Sequence, residues 1–194
     1  MSTAKSNQWL DTTLENVLAA KPIENISLTQ PDITAEAAYD LQHQLIARLQ
    51  THGGWGDIYG YKAALTAQAA QQAMGIDEPI IGALFQHGAQ STNAQIAVHS
   101  DRPILLETEL GFTLSKAITD PVDLETVLDS VGECQGMIEL AAPNLQQRPS
   151  SIDLISSNSA SYGCLAAEPR ANPTELDIDT LEVSLTRLGD TQET

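Results

Sequence analysis

The chain has 194 residues, of which 42% are hydrophobic and 18% charged, a composition typical of a globular domain with a sizeable core and not of a disordered chain. Its 26 acidic and 9 basic residues give a formal charge of -17, which repels nucleic-acid phosphates and anionic lipids and excludes both as expected partners. No apolar run approaches the roughly 20 residues that cross a bilayer. The N-terminus has no apolar signal core, so we expect a soluble, cytoplasmic protein without membrane contact.

Two amphipathic helices are predicted at the N-terminus. Apolar residues recur at helical spacing over residues 7–20, and Pro22 follows where that helix should end. A second helix begins after Thr34, a candidate N-cap, and ends at Gly53 and Gly54. The sequence therefore predicts an N-terminal helical region over residues 1–54.

Short runs with strand character, separated by turns, follow these glycines. They cover residues 58–65, 80–85, 94–98, 104–114, 137–141, 162–166 and 181–188. Two short helices interrupt them, one from the candidate N-cap Thr66 to the candidate C-cap Gly75 and one after Pro121. The order predicts an α+β protein in which a mixed β-structure, residues 55–194, follows the helices within one structural unit.

The last predicted strand leads into a turn signal at Gly189 and Asp190, close to the end of the sequence. A strand without a returning partner would leave a row of unpaired backbone groups. Two interpretations stay open on this pattern alone. Either the chain stops before its fold is complete, or a frayed tail follows a finished domain.

Cys134 and Cys164 are the two cysteines, and neither lies in a CxxC or Cys/His pattern. This spacing gives no support to a disulfide framework or a zinc site. We therefore predict that both are small buried apolar residues.

Three glutamates are the strongest candidates for a metal site. On a strand, Glu107 and Glu109 project from one face about 6.6 to 6.8 Å apart along the axis, a span that two carboxylates can close around one hard divalent cation. The alternative is an exposed polar face, because strand alternation routinely places charges outward. Glu139 favours the metal site, since it lies in an apolar run where an unpaired charge would be costly to bury.

Lys62 is a lone cation in the apolar strand predicted over residues 58–65. It could balance the acidic cluster or bind an anionic substrate. The alternative is a surface lysine whose ammonium group reaches water past its aliphatic stem.

Five short blocks, taken in order, resemble the 2-keto-4-pentenoate hydratase and 4-oxalocrotonate decarboxylase family of the fumarylacetoacetate hydrolase superfamily. The blocks are GYKAALT at residues 60–66, GIDEP at 75–79, GALF at 82–85, ETELGF at 107–112 and IE at 138–139. With a further likeness near residues 31–42, the resemblance covers nearly the whole chain. It implies the mixed β-roll of that superfamily after two N-terminal helices.

The resemblance also implies a metal site. In that family's pattern, Glu107, Glu109 and Glu139 would hold Mg²⁺ or Mn²⁺. Three carboxylates leave coordination positions open, and a 2-keto or 2-hydroxydienoic acid can fill them with its carboxylate and adjacent oxygen.

The same resemblance implies roles for four further residues. Lys62 and Asp77 would be catalytic, with Lys62 adding positive charge beside the substrate oxygens and Asp77 moving a proton, through water, during ketonisation. Phe85 and Ser161 would contact the substrate.

The implied activity is the addition of water to 2-hydroxypenta-2,4-dienoate, giving 4-hydroxy-2-oxopentanoate, in a homo-oligomer. Decarboxylation of 2-oxohex-3-enedioate is an alternative, because both reactions pass through a dienolate. A catalytically silent assembly partner is the other alternative. It is supported by departures from the family pattern at residues 142–144 and at Ser157, and by an end at Thr194 where relatives continue into another turn, helix and strands.

Overall fold

The computed structural model describes residues 3–52, 54–98, 103–119, 121–168, 170–187 and 190–193. Gly53, Leu188 and Gly189, on which a predicted helix end and a predicted turn rest, lie outside these residues. The chain divides into two compact units. The first unit contains Met1–Ala89, Ile96–Leu105 and Leu140–Gly163, and the second contains Gln90–Gln95, Leu106–Glu139 and Cys164–Thr194.

Six helices and eight strands are described along the chain. Their order is α1 (Thr3–Leu18), α2 (Ile26–Thr29), α3 (Ala35–Thr51), β1 (Ile58–Ala64), α4 (Gln68–Met74), β2 (Ile80–Phe85), β3 (Ala89–Gln90), β4 (Leu105–Leu114), α5 (Leu124–Ser130), β5 (Val131–Ala141), α6 (Ser151–Ser156), β6 (Ser161–Ala166), β7 (Ser184–Arg187) and β8 (Asp190–Glu193). No helix among the described residues is long and apolar enough to cross a bilayer.

The core of the first unit forms where the N-terminal helices pack together. The predicted helices are α1 and α3, and the side chain of Thr34 caps α3 by accepting a hydrogen bond from the backbone of Ala37, as expected of an N-cap. Buried apolar residues recur along α3 at helical spacing and meet Leu10 of α1 and Ile26 of α2. These residues of α3 are Leu41, Leu45, Ile46 and Leu49. The short helix α2 was not predicted.

An antiparallel ladder of β1 and β2 adds to this core. Its register pairs Lys62 with Gly82 and Tyr61 with Ala83. The helix α4 between the strands ends at Gly75, which adopts the predicted left-handed conformation with φ of 68°.

Two local predictions near this ladder are wrong. Helix α4 begins after Ala67, so Thr66 is not its N-cap. Residues 94–98 form no strand, and the nearby strand is β3 at Ala89–Gln90. Val98 is 70% exposed, and a run with strand propensity forms a strand only where a neighbouring strand or a core receives it.

The second unit is built mainly on a four-stranded sheet with the order β3-β6-β5-β4. Strand β5 begins at Val131, six residues before the predicted start at 137. Cys134 and Cys164 are free and buried, which confirms their prediction as apolar core residues.

The C-terminal strand has a partner, so its prediction as an unpaired strand is wrong. Strand β7 pairs antiparallel with β8, from Ser184 opposite Glu193 to Arg187 opposite Asp190. The four residues of β8 are enough for a short ladder, which provides hydrogen bonds for the backbone of β7.

Candidate metal centre and substrate-facing residues

Glu107, Glu109 and Glu139 converge in the second unit. One carboxylate oxygen from each lies within 4.8 Å of the other two. Glu107 and Glu109 extend from the same face of β4, as the strand period requires, whereas Glu139 comes from β5. Glu139 is 3% exposed, and the other two side chains are more open to solvent. The described structure thus brings together the three acids that the sequence singled out.

This donor set fits a hard divalent cation. Oxygens on opposite sides of Mg²⁺ are about 4.2 Å apart, twice a metal–oxygen distance of about 2.1 Å, while Ca²⁺ accepts about 4.6 to 5.2 Å. Three oxygens cannot all lie opposite one another, so oxygens that are up to 4.8 Å apart must move inward to close around either ion, and the shift is larger for Mg²⁺ than for Ca²⁺. A cation would also neutralise the repulsion among three neighbouring carboxylates.

A glycine leaves space for a methionine side chain beside this cluster. Gly111 lies on the same face of β4 as the two glutamates, and Met137 lies on the same face of β5 as Glu139. A Cβ atom at position 111 would lie 2.0 Å from Sδ of Met137, so any other residue there would displace the thioether. The acidic cluster therefore has an apolar neighbour, which strengthens electrostatic interactions locally.

Cys164 lies close enough to Glu139 for the negative charge of that carboxylate to affect the thiol. Burial is the larger cause that raises the pKa of the Cys164 thiol, and the negative charge of Glu139 raises it further. The thiol is therefore protonated at neutral pH and adds no negative charge beside Glu139.

In the first unit, Lys62 and Ser161 lie on the same side of Gly82. Lys62 is half-buried and pairs with Gly82, so the two residues share a face of the β1–β2 ladder. A Cβ atom at Gly82 would lie 2.5 Å from Oγ of Ser161. The Ser161 hydroxyl therefore lies over Gly82, on the face from which Lys62 extends. This hydroxyl is buried and has no hydrogen-bond partner among the described residues.

Asn158 holds the segment before Ser161 in place, and the sequence analysis missed this residue. Its side-chain oxygen accepts a hydrogen bond from the Ala83 backbone N–H at 2.7 Å, and its amide nitrogen donates to the Ala83 carbonyl at 2.9 Å. Asn158, Ser159 and Ala160 have φ values of 67°, 53° and 57°. Three left-handed residues in succession are strained unless the surrounding structure holds them. The preference of asparagine for this conformation was the available signal.

Asp77 and Phe85 have contrasting surroundings. Asp77 is exposed in the loop between α4 and β2. Phe85 is 4% exposed and packs edge-on against Trp55, with ring centroids 5.1 Å apart. Phe85 is thus part of the core, and its predicted substrate contact stays a prediction.

A small cavity opens beside Ser161 within the first unit. Its volume is about 30 Å³, and its lining includes Trp55, Asn158 and Ser161. Trp55 was not predicted, because its place at the cavity depends on its contact with Phe85 and not on any local pattern.

Known proteins resemble this chain over most of its length. A 2-oxo-hept-4-ene-1,7-dioate hydratase of Escherichia coli is 32% identical over 182 residues, which cover 89% of this chain and 67% of that protein. A 2-keto-4-pentenoate hydratase of Paraburkholderia xenovorans is 27% identical over 177 residues, covering 89% of this chain and 64% of the relative. The chain therefore spans about two thirds of the length of these curated relatives, or slightly less.

A solved structure shares the fold. The 4-oxalocrotonate decarboxylase from Pseudomonas putida G7, complexed with magnesium and adipate, superposes with a TM-score of 0.84 at 20% identity, covering 99% of this chain and 73% of that one. This likeness confirms the predicted α+β class and the fold that the family resemblance implied. No family model matches the sequence.

Proposed function

The chain belongs to the family of 2-keto-4-pentenoate hydratases and 4-oxalocrotonate decarboxylases, and on this premise we propose that it is a divalent-metal-dependent hydro-lyase. Its proposed substrate is 2-hydroxypenta-2,4-dienoate or a similar 2-keto or 2-hydroxydienoic acid. The observation that carries the proposal is the convergence of Glu107, Glu109 and Glu139 to within 4.8 Å.

The proposed reaction adds one water molecule. The dienol loses its hydroxyl proton and gains a proton at C5; water then supplies a hydroxyl group to C4 and a proton to C3, which gives 4-hydroxy-2-oxopentanoate. Glu107, Glu109 and Glu139 would hold a divalent ion, and the carboxylate and adjacent oxygen of the substrate would chelate it, so that the ion would stabilise negative charge on these oxygens.

Lys62 and Asp77 are the proposed catalytic residues. Lys62 is half-buried, so its charge would act on a substrate oxygen with less screening than that of an exposed lysine. Asp77 is exposed, and its carboxylate would exchange protons with water and with the substrate carbons. Ser161 would donate a hydrogen bond to the substrate through its buried hydroxyl.

Mg²⁺ and Mn²⁺ are the proposed ions, because both accept all-oxygen ligand sets. The solved relatives support a hard divalent ion, since two structures of the Pseudomonas putida G7 decarboxylase are complexes with magnesium and with calcium. A homo-oligomeric, cytoplasmic enzyme is part of the same proposal, on the family resemblance. Light scattering of the purified protein tests the oligomer.

A decarboxylase is the second candidate, because the fold matches an enzyme of that name. Loss of CO₂ from 2-oxohex-3-enedioate would leave the dienol that the hydratase reaction consumes. Product analysis distinguishes the two reactions, since only the decarboxylase releases CO₂.

Calorimetric titration of Mg²⁺ into the purified protein tests whether the three converging glutamates bind a divalent ion. We expect saturable binding to the unmodified protein and none to Glu109→Ala. Glu125→Ala is the matched control, since it removes the same charge from an exposed site in the same unit, outside the cluster. Equal binding to all three proteins, or to none, would contradict a glutamate metal site.

A further inference from the structure

The sheet face that carries the three glutamates continues past them to a methionine. Successive side chains of a strand alternate between its two faces, so Met137 lies on the same face of β5 as Glu139, about 6.6 to 6.8 Å from it along the strand axis. On β4, Gly111 follows Glu109 on the corresponding face. A Cβ atom at Gly111 would lie 2.0 Å from Sδ and 2.6 Å from Cγ of Met137. The thioether therefore reaches across to β4 and covers the glycine beside the glutamates.

Packing of the described core does not account for Met137. The side chain is half-buried, and it belongs to neither cluster of buried apolar residues in the described structure, nor to the partly buried residues packed against them. Gln135, the next residue on the same face, is 8% exposed, so solvent reaches this face at Met137 and not at the following position. An apolar side chain that is open to solvent beside a set of converging polar groups is typical of a ligand-binding surface.

The length of the proposed ligand matches this position. A 2-oxo acid bound to an ion at the three glutamates would use its carboxylate and its 2-oxygen as ligands, and its other carbons would extend away from the ion. The three carbons beyond C2 of a five-carbon acid extend about 4 Å, at roughly 1.5 Å per bond. Methionine adapts its shape to such a chain, because its side chain is unbranched and has three rotatable bonds and a polarisable sulfur. Met137 is therefore within reach of a carbon chain held at the cluster.

We propose that Met137 is a specificity-determining residue whose thioether packs against the carbon chain of a metal-chelated 2-oxo or 2-hydroxydienoic acid. The inference rests on the proposed function and deepens it, because it names a residue that distinguishes acids with an apolar chain from acids without one. Every residue that carries the argument belongs to the second unit. A five-carbon acid gains an apolar contact at Met137, whereas an acid without carbons beyond its chelating groups gains none.

NMR of labelled methionine methyl groups tests the contact in the unmodified protein. The chain has three methionines, Met1, Met74 and Met137, and spectra of Met74→Leu and Met137→Leu assign their resonances. Two acids would be added to the Mg²⁺-loaded protein. Oxalate chelates the ion without a carbon chain, and 2-oxopentanoate chelates it with one. We expect 2-oxopentanoate to shift the Met137 resonance, oxalate to leave it close to its position with Mg²⁺ alone, and neither acid to shift the Met74 resonance.

Calorimetry measures how much the contact contributes to affinity. We expect Met137→Ser to weaken the binding of 2-oxopentanoate to the Mg²⁺-loaded protein about tenfold and to leave the binding of oxalate unchanged. Met137→Leu keeps an apolar side chain of similar volume and should retain most of the affinity. Met74→Ser is the matched control and should change neither affinity, since Met74 is also half-buried but belongs to the first unit. Circular dichroism checks folding, and the NMR comparison in the unmodified protein decides the question if Met137→Ser does not fold.

The other outcomes separate the inference from the proposed function. A Met137 resonance that responds equally to the two acids, or to neither, means that the carbon chain lies elsewhere. An equal loss of affinity for both acids in Met137→Ser means that Met137 acts through the ion. Each of these results overturns the contact and leaves the metal-dependent enzyme standing. If neither acid binds, or if binding does not depend on Mg²⁺, the proposed function fails and the inference fails with it.

Discussion

Asp153 in the first unit and Glu139 in the second are both buried acids, with exposed fractions of 1% and 3%. Asp153 accepts hydrogen bonds from the backbone and side chain of Ser27, from the backbone and side chain of Ser150, and from the amide of Asn25. Glu139 lies beside two further carboxylates. The charge of the first acid is stabilised by hydrogen-bond donors of its own chain, so its role is structural. The second is placed among like charges, an arrangement that favours a cation from outside.

The largest expected effect follows from removal of Asp153, the acid whose charge is stabilised by hydrogen-bond donors of its own chain. Asp153→Ala leaves the donors of Asn25, Ser27 and Ser150 without their acceptor and removes the capping box of α6. We expect a loss of about 3 to 5 kcal/mol in the free energy of unfolding, measured by urea denaturation. Without metal, Glu139→Gln should lower the free energy of unfolding far less, because it relieves the repulsion among the three neighbouring carboxylates. An equal loss in the two variants would contradict the contrast between the acids.

Added Mg²⁺ should produce the next largest effect. A ligand at a hundred times its Kd, bound only to the folded state, stabilises a protein by about 2.7 kcal/mol. We expect this increase for the unmodified protein in a thermal melt with and without Mg²⁺, and none for Glu139→Gln. Stabilisation of both proteins would place the ion elsewhere.

Gly111→Ala tests how the packing of Met137 beside the glutamate cluster affects stability and Mg²⁺ binding. The new Cβ would displace Met137, so we expect a loss of about 1 to 3 kcal/mol from overpacking and weaker Mg²⁺ binding. The double variant Gly111→Ala with Met137→Ala removes the clash and should recover part of both losses. If the second substitution recovers nothing, the contact between the two residues is not the cause.

The smallest expected effect is a dependence of the free energy of unfolding on pH, caused by Asp153. Burial alone would raise the pKa of Asp153, but hydrogen bonds from Ser27 and Ser150 outweigh it and hold the pKa below its ordinary value of 3.8. The stabilisation is therefore fully present above pH 3.8 and is lost as the pH falls through the lower folded-state pKa. Denaturation between pH 5 and pH 2 should show the gap between the unmodified protein and Asp153→Asn narrowing below about pH 4. A constant gap would mean that the carboxylate does not titrate differently in the folded state.

Local periodicity in the sequence was sufficient to predict part of this structure. The apolar spacing of α1 and α3 and the period-two pattern around Glu107 and Glu109 depend only on nearby residues. The predicted convergence of Glu139 with them needed the family resemblance, since a strand pattern in β5 does not say which strand lies beside it.

Other features depend on distant partners and were missed for that reason. The short helix α6 has six residues, and its capping acid Asp153 is held by Asn25 and Ser27, more than 120 residues earlier. The approach of Ser161 to Gly82 requires the left-handed turn before it.

The sequence by itself determined that this is an acidic α+β protein with two N-terminal helices and three glutamates suited to a divalent ion, because composition and period act through neighbours along the chain. Only the tertiary structure decided which acid its own chain satisfies, how the last strand is paired, and that an uncharged cavity opens beside Ser161. These features arise where segments far apart in sequence come into contact, and no local pattern encodes which segments will meet.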